Sequence, residues 1–202
     1  VLFKCNKGYT LILLQVVRFS VYENNRALRL FTYLRCSCTG ATASNSRNGV
    51  FMDDFLDITV FESGQKYVSL GKIDSSIVDF LTEKVPSLAG ILNSDTDILF
   101  WKDRIKHTEL HKNDFISDNE FYTCLEMIPS IIKNPDYLSV HKKDNSISFI
   151  KDFSSHVSVA IRISPTGGLS YRTMYPLMDA QLSNYIDNGT AWKWTSHKNL
   201  DI

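Results

Sequence analysis

Cysteine is scarce in this chain of 202 residues, and none of it is patterned for pairing: Cys5, Cys36 and Cys38 lie before residue 52, and only Cys124 lies beyond. Cys36-Ser37-Cys38 is too tight for zinc-type spacing and has no second pair, so neither a metal knuckle nor a disulfide framework is supported. A reducing, cytoplasmic setting fits. Long apolar runs are also missing: the longest, Leu11 to Val17, contains Gln15 and is closed by Arg18. That is far short of the roughly 20 residues of a membrane span, so no membrane partner is expected. No small-x-small cleavage site follows that run closely, which argues against a secretory signal. Net charge is absent too, with 22 basic and 22 acidic residues. A globally basic nucleic-acid binder is thereby excluded.

The charge is unevenly spread. Val1 to Phe51 holds seven Lys and Arg against the single acid Glu23, leaving 15 basic and 21 acidic residues for Met52 to Ile202. Any contact with a polyanion must therefore come from a local patch. Residues 1–51 also end in a Ser/Thr/Asn/Gly-rich tract, Ser37 to Gly49, and read as a foreign or poorly structured extension, either translated upstream sequence before a native start at Met52 or a genuine N-terminal extension.

Residues 52–97 are expected to form a small N-terminal subdomain. Ile58 to Phe61 and Tyr67 to Ile73 are β-rich around Glu62-Ser63-Gly64-Gln65, which predicts a hairpin. Asp74-Ser75 can cap a helix that runs to Val85 and is stopped by Pro86. Residues 98–202 are expected to form an α+β domain. There the reading predicts a polar helix from Lys102 to Asn113, then a second helix opened by the capping box Ser117-x-x-Glu120, which Pro129 should kink or split. Four strands follow, Tyr137 to His141, Ser146 to Lys151, Val157 to Ile163 and Leu169 to Tyr175, joined by turns short enough for an antiparallel meander. Val157, Val159, Ile161 and Ile163 alternate with His156, Ser158, Ala160 and Arg162, which predicts one buried and one polar face. A last short helix is expected around Gln181 to Tyr185.

Two segments carry the chemistry. In WKDRIKHTELHK, Trp101 to Lys112, His107 and His111 are four residues apart and so share a helix face, with Arg104 and Lys106 adding cations. In SYRTMYP, alternation sends Ser170, Arg172 and Met174 to one face and Tyr171, Thr173 and Tyr175 to the other. Histidine with lysine or arginine supplies a base near neutrality, an acid and cations for phosphate oxygens, and so meets the needs of phosphodiester cleavage. Lys151 and Arg162 on neighbouring strands are further phosphate-binding candidates. Zinc is disfavoured, because H-T-E-L-H is not the H-E-x-x-H arrangement and no third ligand follows. His141, His156 and His197 read as surface residues, and Lys142-Lys143 as a solvated turn.

The histidine-bearing helix, IPSIIKNPDYL, the strand pair SISFIKDF and HVSVAIRIS, and SYRTMYPLMDAQL resemble, in that order, the barnase-EndoU-colicin E5/D-RelE-like ribonuclease superfamily, especially its phage-associated and polymorphic-toxin branches. The resemblance implies helices packed on a four-stranded antiparallel sheet and RNA cleavage that leaves a 2′,3′-cyclic phosphate without metal or cofactor. It implies RNA, tRNA or mRNA, as the substrate, and an immunity or antitoxin protein as a partner. The setting would be a cytoplasm, reached by delivery into a target cell or through a phage. The helix histidine of the family is matched best by His111, with His107 as a near-equivalent. The family's basic-Ser/Thr-Thr-x-x-Pro strand is matched in part by Arg172, Thr173 and Pro176, with Ser170 as the one candidate for the missing hydroxyl. The expected catalytic set is therefore His107, His111, Arg172, Thr173 and Lys151, and the substrate-binding set Arg162, Ser170, Tyr175, Arg104 and Lys106. The alternative is a non-enzymatic binding or phage-structural module that uses the same surface.

Overall fold

In the computed structural model the chain separates into two compact units, Val1–Arg47 and Asn48–Ile202. The described residues are 55–195 and two short strands, β1 Lys4–Cys5 and β2 Gly8–Tyr9. In the first unit β1 pairs with β2 in antiparallel fashion. The rest of the expected extension, and His197, lie outside the described residues.

The second unit is built on one seven-stranded mixed sheet. Its strands are β3 Tyr67–Lys72, β4 Asp97–Trp101, β5 Tyr137–His141, β6 Ser146–Asp152, β7 His156–Ile163, β8 Leu169–Leu177 and β9 Ala191–Lys193. They lie in the order β3-β4-β8-β7-β6-β5-β9, antiparallel throughout except where β4 runs parallel to β8. The α+β class and the β5-to-β8 meander are as expected, but four strands become seven. The expected hairpin does not form. Ile58–Phe61 is a 3₁₀ turn, because the Asp57 carboxylate accepts both the Thr59 N–H at 2.9 Å and its hydroxyl at 2.7 Å. Released from that pairing, β3 takes β4 as its partner. Residues 52–97 thus lend a strand, and α1 Ser75–Lys84, to the same sheet and core as the rest.

Local signals explain the helices. The Asp74 carboxylate caps α1 by accepting from the Ser76 N–H at 3.0 Å, and Ile77 and Leu81 supply its buried stripe. Ser117 caps α3 Asp118–Glu126, while Glu120 reaches back to the Ile116 N–H at 2.9 Å. Pro129 splits the run after Met127, as its missing N–H demands, giving α4 Ile128–Lys133. The helix of the histidine segment is shorter than expected: α2 spans Asp103–Glu109 only. The N–H groups of Leu110 and His111 bond three residues back, and a 3₁₀ turn at Lys112–Asp114 follows. After Thr108 no side chain is buried until Phe115, and Leu110 is 74% exposed, so no apolar face holds another α-turn.

Residues opposite each other in the ladder share a face. Ile147, Phe149, Val159, Ile161, Met174 and Tyr171 look towards α1, α3 and α4 and form the main core. The other face is expected to be polar, and it carries Ser148, Ser158 and Thr173, but it is not all polar. There α5 Asp179–Asp187 lies over part of it, packing Leu182 with Ile150, Leu177, Ala191, Tyr137, Tyr175 and Tyr185. The β7–β8 turn requires glycine at Gly167, where φ is +82° and a Cβ would stand 2.9 Å from the Ile91 carbonyl oxygen.

Candidate active site

The pairing of β4 with β8 stops after Leu99 and Ser170, and α2 packs along the remainder of β8. One bond fixes that contact. The Thr108 hydroxyl donates to the Arg104 carbonyl at 2.8 Å, so at 2.9 Å it must accept from the Tyr171 O–H, since it has only one proton to give. Both groups are buried, and burial pushes the Tyr171 phenol up. The Tyr171 ring also stacks on Phe100, centroids 4.5 Å apart. The histidine segment is therefore anchored to the strand that carries the other candidate groups.

In β8 the strict alternation expected from the sequence is broken. Ala160 stands opposite Thr173 but Ile161 opposite Tyr171, so Arg172 is an extra residue, a bulge. The slip puts Ser170, Thr173 and Tyr175 on one face, with Arg162 and Ser158, and leaves Tyr171 and Met174 in the core. The expected grouping of Ser170 with Met174, against Thr173 with Tyr171, is corrected by this single insertion.

An open cleft of 690 Å³ lies at this corner of the sheet, lined on one side by Trp101, Asp103, Arg104 and His107 and on the other by Lys143, Asp144 and Asn145. Arg162, Ser170, Tyr171 and Arg172 complete it. Five of the expected site residues, Arg104, His107, Arg162, Ser170 and Arg172, are thus brought together. His111 stands just beyond, its ring 6.1 Å from that of His107 and 6.1 Å from that of Tyr175. Its Nδ1 is 3.0 Å from the Asp114 carboxylate, which fixes the ring's orientation. Thr173 is buried two rungs from the Ser170–Arg162 rung, its hydroxyl without a hydrogen-bond partner among the described residues, as are the hydroxyls of Ser148 and Ser158 on the same face.

Two expected residues are elsewhere. Lys151 pairs with Asp136 at 3.0 Å and stands level with Val157, five rungs from the Ser146–Arg162 rung that borders the cleft. At about 3.3 Å per rung, that is on the order of 16 Å. Lys106 is exposed and does not line the cleft.

The charges are partly self-compensated. Arg104 pairs with Asp103 at 3.3 Å and Arg172 with Asp144 at 2.9 Å, while Arg162 and Lys143 make no ion pair among the described residues. Lys143 is exposed in its turn, as expected, and also lines the cleft. His141 is not a plain surface residue either. It shares a rung with Ser146, its ring packs edge-on to Tyr185 at 5.4 Å, and burial holds its imidazole below the usual range, with Asp144 pulling it up and Arg172 pushing it down. His156 likewise bridges Asp152 and Asp179, the latter at 3.0 Å, and so ties α5 to β7. Sequence spacing could not find Asp144, because its partner Arg172 lies far along the chain in β8, whereas Asp114 meets His111 across the 3₁₀ turn that ends the histidine segment.

Among the described residues no cluster of three His, Cys, Asp or Glu is close enough to hold a metal ion, and no helix is long and apolar enough to cross a membrane. An imidazole set among guanidinium groups in an open cleft holds the group types that phosphate-ester chemistry uses. The family agrees: residues 75–184 match the model described as phage-Barnase-EndoU-ColicinE5/D-RelE like nuclease3, and the chain belongs to this nuclease family. No curated protein and no solved structure matches the chain.

Proposed function

We propose that the domain is an endoribonuclease that cleaves RNA by attack of the 2′-hydroxyl on the adjacent phosphate, with acid-base chemistry carried by side chains and no metal. The observation that carries this reading is the convergence of His107, Arg104, Arg162, Ser170 and Arg172 on one cleft. His107 and His111, with rings 6.1 Å apart, are spaced to flank a phosphate. One takes the 2′-hydroxyl proton and the other gives a proton to the leaving 5′-oxygen. Arg162 and Arg172 neutralise the charge that builds on the non-bridging oxygens, and Ser170 donates a hydrogen bond there. Asp114 keeps the His111 ring oriented.

The reading extends to a setting in a cytoplasm, where RNA is at hand. Its test is cleavage of RNA by the parent, His107→Ala and His111→Ala. Loss of an acid-base group costs about 10²- to 10⁴-fold in rate, so each variant should fall by at least about 100-fold. Parent-like cleavage by the double variant would refute the assignment.

A further inference from the structure

Resting on the nuclease reading, we propose that Asp144 is a built-in stand-in for the substrate phosphate: it occupies the Arg172 guanidinium until a phosphodiester displaces it, and so sets how tightly the cleft holds its polyanionic substrate. Three observations converge on this residue. Asp144 lines the cleft, and its carboxylate lies 2.9 Å from Arg172 Nη1. Arg172 is the bulged residue of β8, so its side chain is aimed independently of the ladder. The turn that carries Asp144 ends in Asn145 with φ 46° and ψ 51°, and its two arms are clamped where His141 faces Ser146.

The physical consequence is a competition. Both partners are half exposed, 40% and 52%, so the pair itself is weak and solvent-screened and does not lock Arg172. A phosphate offers the guanidinium two oxygens in its preferred fork geometry and carries its own charge. It therefore wins the exchange. The displaced carboxylate cannot go far, because the clamped turn keeps it at the wall of the cleft. It continues to repel the phosphate that replaced it, and the cleft acts with one fewer cation than its residues suggest. Polyanions that reach Arg162 and Arg172 together bind well, and small monoanions gain little.

The test uses the full chain and a ten-residue 2′-O-methyl oligoribonucleotide, which binds but lacks the attacking hydroxyl. Its affinity is measured by fluorescence anisotropy across a salt series for the parent, Asp144→Asn, Asp144→Ser, Arg172→Ala and the double variant Asp144→Asn/Arg172→Ala. The expected result is about tenfold tighter binding for both Asp144 variants at low salt, from removal of one nearby charge. The plot of log affinity against log salt should steepen by about 0.7, one additional phosphate contact. In the Arg172→Ala background the gain should shrink to the part that comes from repulsion alone. Binding no tighter than the parent in both Asp144 variants, a gain undiminished by loss of Arg172, or no binding by any variant each overturns the proposal. Cleavage of unmodified RNA is scored separately: a binding gain without cleavage by any protein refutes the nuclease chemistry and leaves the Asp144 exchange standing.

Discussion

Replacing Thr108 by valine tests how the histidine segment is held to the sheet. Valine keeps the shape of threonine but removes the only acceptor that the buried Tyr171 O–H has among the described residues. An orphaned buried hydroxyl costs about 1–3 kcal/mol. Tyr171→Phe removes the donor instead, keeps the ring on Phe100, and leaves Thr108 still bonded to the Arg104 carbonyl. That change forfeits one ordinary hydrogen bond, about 0.5–1.5 kcal/mol. The double variant Thr108→Val/Tyr171→Phe leaves no orphan, so it should be no less stable than Thr108→Val alone, although the single costs would sum to more. Urea unfolding of the four proteins gives the energies. In thermal melts each kcal/mol moves the midpoint by roughly 2–4 °C for a domain of this size. Because α2 carries His107, RNA cleavage should fall further in Thr108→Val than in Tyr171→Phe. Additive costs, or a Thr108→Val variant as stable as the parent, would show that this bond does not dock α2 on β8.

Three more outcomes follow from the same geometry. Lys151→Ala should change RNA cleavage less than about twofold and stability by at most about 1 kcal/mol, since a partly exposed pair with Asp136 is all it loses. Burial pushes the Cys124 thiol up to about 12, so iodoacetamide at pH 8 should leave the Cys124 peptide unlabelled in the folded protein and label it in urea, as mass spectrometry would read. His141 binds its proton less readily in the folded state than at its ordinary value of 6.5, so the unfolded chain takes up more protons in that range. Stability is then full above about pH 6.5 and is lost as pH falls through that value towards the folded one; His141→Gln should flatten that loss in melts between pH 7.5 and 5.5.

Much of the sheet was legible in the sequence, because β5 to β8 combine period-two alternation with turn residues at each junction. The Ser117 cap and the Pro129 break were legible for the same local reason. What escaped depends on distant partners. Ile58–Phe61 has strand-like residues, yet Asp57 caps it into a 3₁₀ turn, and β3 pairs with β4 some thirty residues on. The two histidines were visible, but the end of α2 was not, since it depends on which side chains the core receives. The site was legible in its residue types and misjudged in its faces. A one-residue bulge at Arg172 moved Thr173 and Tyr175 to the face of Ser170, and nothing in SYRTMYP marks it. Strand proximity alone points to Lys151, and the ladder register puts it at the other end of β6.

The central claim is the chemistry of cleavage, and the ends of the cut RNA test it most directly. Purified full chain is incubated with total RNA in EDTA, and the termini at each cut are mapped with and without cyclic-phosphate ligation. The expected result is 2′,3′-cyclic phosphate on the upstream fragment and a free 5′-hydroxyl on the downstream one, lost in His107→Ala. Intact RNA, or 5′-phosphate and 3′-hydroxyl ends, would contradict it.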